Sequence, residues 1–119
     1  FDAQAIAVGE ARSRSCGSVI SLSSVHTSRL ERIGLKVSAC AVGQASAAIF
    51  AREAGGMDAA AVSRTLGALG EWLEGDAHAP ALERIDMLEP ARAYRARHGA
   101  ILLPWKAALD ALSKGGGAG

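Results

Sequence analysis

By type and spacing, the residues of this chain best suited to hold a metal ion or carry sulfur are Cys16, Cys40 and His98. Both cysteines, the only two present, sit in short small-residue turns, Cys16-Gly17-Ser18 and Cys40-Ala41-Val42-Gly43-Gln44-Ala45-Ser46. Each lies beside the end of an expected strand, and the second also opens an expected helix. At a helix start the backbone N–H groups and the macrodipole favour a thiolate, the form that attacks sulfur and binds metal. If the alternation of the preceding strand continues, Cys40 falls on the Lys36/Ser38 face, away from the core. A free cysteine is most often a small buried hydrophobe, but the strand parity and the helix position argue against that here. His98, in Arg95-Ala96-Arg97-His98-Gly99, is the best third ligand, and the two arginines raise the positive potential that suits thiolates and anionic sulfur. Alone it would be an ordinary surface histidine.

The elements that must position these residues can be traced by periodicity. Ile33, Leu35, Val37 and Ala39 alternate with Gly34, Lys36 and Ser38, a strand with one buried face. Ile20 and Leu22 alternate with Ser21 and Ser23 in the same way, and residues 6–14 read as a third, more exposed strand. The polar run Val25-His26-Thr27-Ser28-Arg29 predicts an antiparallel hairpin connection. In that arrangement the start of the strand after Cys16 and the end of the strand before Cys40 share one end of the sheet. Twenty-four residues apart in sequence, the two thiols can then converge as ligands of a tetrahedral site. A disulfide between them is the competing outcome, allowed by geometry and disfavoured by a reducing compartment.

After Cys40 the period changes. Residues 41–53 are alanine-rich and helical, stopped by Gly55-Gly56. Asp58 caps a second helix striped by Val62, Leu66, Leu69 and Leu73, which closes at Gly75-Asp76. Pro80, as a first-turn residue, predicts a short helix carrying Leu82, Ile85 and Leu88. A last helix from about Arg92 to Lys114 places Ile101, Leu102, Trp105, Leu109 and Leu112 on one side, with Pro104 expected to kink or restart it. Trp72 and Trp105 read as core, His26 and His78 as solvated, and the charged run 83–86 as an exposed helix face. Strands first and helices afterwards predict an α+β fold, a small three-stranded antiparallel sheet with helices packed on one face. Residues 1–114 form a single domain in this reading, and 115–119 a flexible Gly-rich tail.

Bulk properties narrow the function. The chain has 119 residues, half of them apolar, and a net charge of +1. That is one domain with a sufficient core and no basic stripe for nucleic acid. No apolar run spans a membrane and nothing resembles a signal peptide. The chain starts at Phe1 without a methionine, which leaves room for a preceding piece. Two cysteines make no disulfide framework, so a reducing cytoplasm with free or metal-bound thiols is expected. No Ser/His/Asp or paired-carboxylate arrangement points to a hydrolase, and no glycine run forms a phosphate loop after a strand.

The order of motifs resembles the NifU/IscU-type scaffolds of iron–sulfur cluster assembly: Cys16-Gly17, a hairpin, Ala39-Cys40-Ala41-Val42-Gly43-Gln44-Ala45-Ser46-Ala47, then Arg97-His98 before an apolar helix. The resemblance implies a scaffold that receives sulfur from a cysteine desulfurase, assembles a transient [2Fe–2S]-type cluster on its cysteines and passes it to apoproteins, or binds zinc at the same ligands. It implies Cys16, Cys40 and His98 as the metal-binding set, Cys40 as the sulfur acceptor, and a monomer or weak homodimer. Two family positions differ. Ser18 stands where an Asp is usual, and Gly99 where a third cysteine falls. Two thiolates and an imidazole suit zinc with an open fourth position, whereas a [2Fe–2S] centre ordinarily takes four protein ligands. The alternative is a SufE-type sulfur acceptor that carries persulfide on Cys40 without metal. A domain that keeps the fold without the chemistry is the third reading.

Overall fold

Alternation of small or apolar with polar residues dictates three strands, and the computed structural model, which describes residues 7–13, 17–75 and 78–116, shows them as β1 (Ala7–Arg12), β2 (Val19–Ser24) and β3 (Gly34–Ser38). They form one antiparallel sheet in the order β1-β2-β3. The register aligns Arg12 with Val19 and Val19 with Ser38 at one end, and Ala7 with Ser24 at the other. Four helical segments follow: α1 (Ala41–Glu53), α2 (Ala59–Leu73), a 3₁₀ helix (Ile85–Ala93) and α3 (Arg95–Gly116). The expected α+β architecture is what the chain adopts.

β1 owes its place to small side chains. Ala7 and Gly9 are buried while Val8, Glu10 and Arg12 point outward. A Cβ on Gly9 would overlap the Ala107 carbonyl oxygen and the Ala111 nitrogen, so the strand backbone rests directly on α3. Asp110 of α3 accepts the Glu10 N–H at 2.9 Å, supplying an edge-strand donor with a partner. Ile20 and Leu22 of β2 complete the buried face of the sheet.

α3 departs from the one-sided stripe expected of it. Ala100, Ile101, Leu103, Pro104, Trp105, Ala107, Ala108, Ala111 and Leu112 are all buried, and the helix packs against β1, β2, α1, α2 and the 3₁₀ helix. A helix apolar nearly all round is a core helix. Pro104 does not restart it, because α3 is continuous from Arg95 to Gly116. Proline removes the donor for the Ala100 carbonyl. The next carbonyl, that of Ile101, accepts the buried Ser46 hydroxyl at 2.6 Å. Phe50 of α1 meets the Trp105 ring edge to face at 4.9 Å.

The second difference lies between α2 and α3. Pro80 starts no helix; the chain turns there, with the Leu82 N–H bonded to the Pro80 carbonyl at 2.8 Å. Leu82, Ile85, Leu88 and Ala91 are buried at a strict spacing of three, which is the period of a 3₁₀ helix, where i and i+3 eclipse. The 3₁₀ helix runs to Ala93, so α3 begins at Arg95 rather than Arg92. The charged residues Glu83, Arg84 and Asp86 are exposed, on a turn and first 3₁₀ residues rather than on an α-helical face. Asp58 caps α2 as expected, accepting the Ala61 N–H at 2.8 Å. Among the described residues no helix is long and apolar enough to cross a membrane.

Candidate functional site

Cys40 is the N-cap residue of α1, with φ −67° and ψ 173°, and its side chain makes no capping bond. The first-turn N–H groups of α1 therefore have no side-chain partner at the cap. The thiol is free and half-buried. Its surroundings are held from two sides: the Gln44 N–H donates to the Cys40 carbonyl at 2.9 Å, and the Gln44 side-chain amide reaches back to the Ala39 carbonyl at 3.0 Å. Gly43 lies so close to the junction that a Cβ there would stand 2.8 Å from that of Ala39 and 3.4 Å from that of Ala100. Small residues thus press the start of α1 onto the first turns of α3, two residues beyond His98.

Cys16 itself lies outside the described residues. Arg14 and Ser15 do too, while Ser13, Gly17 and Ser18 are described. The Ser13 N–H donates to the Ser18 carbonyl at 2.8 Å and the Gly17 N–H to the Ser13 carbonyl at 2.9 Å, and Gly17 takes a φ of +69° that glycine allows without strain. The 13–18 connection leaves the sheet at Arg12 and Val19, and Val19 pairs with Ser38, two residues before Cys40. Arg12, Val19 and Ser38 therefore lie at one end of the sheet, the end from which the chain runs on to Cys40. Ser18, at the position of the expected Asp, is buried and belongs to the closure of this turn.

His98 sits in the first turn of α3, half-buried. Its Nε2 lies 2.8 Å from the Arg92 carbonyl oxygen. A carbonyl only accepts, so Nε2 carries the hydrogen and the lone pair of the neutral ring is on Nδ1. Arg92 is itself fixed: its Nε donates to the Trp72 carbonyl at 3.0 Å, its guanidinium stacks over the Trp72 ring at 4.9 Å, and it pairs with Glu89 at 2.9 Å. Of the two arginines before His98, Arg95 pairs with Glu74 at 3.4 Å on the surface. Arg97 instead borders a groove.

That groove, an open depression of about 440 Å³, is lined by Ala41, Val42 and Ala45 of α1, by Met87, Leu88, Pro90 and Ala91, and by Tyr94 and Arg97. Met87 and Tyr94, 57% and 66% exposed, are two of the three exposed large hydrophobic residues among those described. Sequence periodicity does not reveal it, because its lining comes from three segments. Among the described residues no three His, Cys, Asp or Glu side chains gather closely enough to hold a metal ion. His78 is exposed, as expected. His26 is exposed too, but it has a partner, Glu31, at 3.0 Å, which lies across the connection and not at the sequence neighbours.

Comparison with solved structures settles the family. The NifU-like protein (N-terminal) from Brucella abortus superposes with a TM-score of 0.86 at 30% sequence identity, over 99% of this chain and 84% of the other. The chain belongs to the NifU/IscU-type family. A protein described as an iron–sulfur cluster assembly scaffold for the SUF system, from thermophilic Fervidobacterium islandicum, shares the fold with a TM-score of 0.79 at 22% identity, over 93% of this chain and 83% of that one. No family model and no curated protein matches the sequence. Within the NifU/IscU-type frame, Cys40 occupies the strand-to-helix junction and His98 the start of the long apolar helix. This member carries Gly99 immediately after that histidine.

Proposed function

We propose that this protein is an iron–sulfur cluster assembly scaffold or carrier, with the cluster or its iron and sulfur as cargo. The supporting observation is the shared sheet end. Val19, three residues after Cys16 in sequence, pairs with Ser38, two residues before Cys40, and the start of α3 abuts the same corner through Gly43 and Ala100. The donor set fits such cargo in kind: two thiolates and one imidazole take zinc with an exchangeable fourth position. A [2Fe–2S] unit needs a further ligand, supplied from outside or by a second copy.

In this reading Cys40 is the sulfur acceptor. Its thiolate attacks the outer sulfur of a persulfide on a cysteine desulfurase; a Cys40–sulfur bond forms, the donor's sulfur–sulfur bond breaks, and the donor cysteine leaves as thiolate. Cys16 and His98 then help hold incoming iron or zinc, and the loaded cargo passes to apoproteins. The protein is a carrier in this scheme, not an enzyme, and works in the cytoplasm. A desulfurase delivering sulfur to Cys40 meets Met87 and Tyr94 in the adjoining groove.

The test is the iron, zinc and acid-labile sulfide content of protein purified without oxygen, as wild type and as Cys16→Ser, Cys40→Ser and His98→Ala. Cys40→Ser is expected to abolish sulfur loading and metal retention, and His98→Ala to weaken metal only. Sulfur loading retained in Cys40→Ser refutes the assignment. Loss confined to Cys40→Ser, with metal unaffected by Cys16→Ser, supports the SufE-type acceptor instead.

A further inference from the structure

We infer that Arg92 is a positioning residue for the metal-binding imidazole: it fixes the ring of His98 so that Nδ1, not Nε2, faces the incoming ion. This deepens the proposed function and rests on His98 being a ligand. Three contacts carry it. The Arg92 guanidinium is clamped, stacked on the Trp72 ring at 4.9 Å and donating through Nε to the Trp72 carbonyl at 3.0 Å. The same residue's backbone carbonyl accepts the His98 Nε2 hydrogen at 2.8 Å. The clamp therefore ties the end of α2 to the residue that orients the imidazole, across the 3₁₀ helix.

The chemistry explains why such a tie matters. A ligating imidazole usually donates its other ring N–H to a carboxylate or a backbone carbonyl, which selects the tautomer and holds the ring plane, and loss of that partner typically lowers metal affinity about 10- to 100-fold. Arg92 supplies the carbonyl, and its side chain keeps that carbonyl in place. Lysine would not substitute, because one ammonium cannot both stack flat on the indole and reach the Trp72 carbonyl and Glu89 as the planar guanidinium does. The Glu89 pair, at 2.9 Å with a Glu side chain 57% exposed, contributes little by itself.

The experiment has two readouts. The first is ¹⁵N NMR of the His98 ring in metal-free protein, at a pH above the ordinary imidazole range. Wild type and Glu89→Gln are expected to show the Nε2–H tautomer alone, and Arg92→Ala and Arg92→Gln a mixture of the two. The second is cobalt(II) titration followed by its thiolate charge-transfer absorption, where both Arg92 variants should raise the Kd about 10-fold with Glu89→Gln unchanged. Circular dichroism of the same samples reports folding, and Arg92→Gln keeps a polar stem should the alanine variant loosen the 3₁₀ helix. An unchanged tautomer in both Arg92 variants overturns the inference, as does coordination of cobalt through Nε2. If His98→Ala leaves cobalt affinity unchanged, the ligand role falls and this inference with it. If His98→Ala weakens cobalt and both Arg92 variants do not, only the positioning role falls.

Discussion

The two ends of the sheet are built by opposite rules. At the end where β2 and β3 are joined, the connection is tied together around Ser24 and Leu30. The buried Ser24 hydroxyl accepts the N–H groups of His26 (3.3 Å) and Glu31 (3.1 Å) and lies within donating reach of the His26, Arg29 and Glu31 carbonyls. Leu30 exchanges backbone bonds with Met57 and Gly56 at 2.8 and 2.7 Å, and Arg29 bridges Asp58. At the other end Cys40 caps a helix without using its side chain. Its neighbours Ala39, Ala41 and Gly43 are small and offer no competing polar group. At one end a buried side-chain hydroxyl ties the loop together; at the other the polar bonds run through backbone groups and Gln44, and the Cys40 side chain takes no part in the cap.

This contrast can be broken in graded steps. The largest effect expected is chemical: Cys40→Ser should reduce metal and sulfide content to background, measured on anaerobically purified protein, because the serine hydroxyl is neither nucleophile nor ligand at neutral pH. Next comes Ser24→Ala, which strands buried backbone groups and should cost about 2 kcal/mol in urea unfolding while leaving metal content per folded molecule unchanged. Asp58→Ala removes the α2 cap at the same end and should cost about 1 kcal/mol, read from the same denaturation curves. The smallest effect is that of Cys40→Ser on stability, within about 0.5 kcal/mol of wild type. A Cys40→Ser variant as unstable as Ser24→Ala would erase the distinction between the two ends.

What could be read from the sequence was what depends on near neighbours. Alternation in residues 19–24 and 33–39 gave the antiparallel sheet, and the Asp58 cap needed only a side chain three residues from the N–H it accepts. The period-three burial of Leu82, Ile85, Leu88 and Ala91 was present in the sequence too. It was hidden by Pro80, whose fixed φ suits a helix start equally well. The burial of α3 all round was concealed by alanine: Ala100, Ala107, Ala108 and Ala111 read as neutral helix formers, yet they are the residues that let Gly9 and Gly43 approach. At the site, Cys40 at a helix start was legible from strand parity and small residues. The contacts that orient His98 were not, since Trp72 and Arg92 meet across 20 residues with no periodicity to announce them.

The contact of Gly9 with α3 has a mechanical corollary. Where not even a methyl group fits between strand and helix, the two cannot shear past one another, and close-packed interiors yield little to pressure or strain. In the proposed scaffold role, a passenger would then load and unload over an unyielding hull, with motion restricted to the rim around Cys40. Amide exchange in β1 and in the Ala107–Ala111 stretch should accordingly be as slow with cargo aboard as without it.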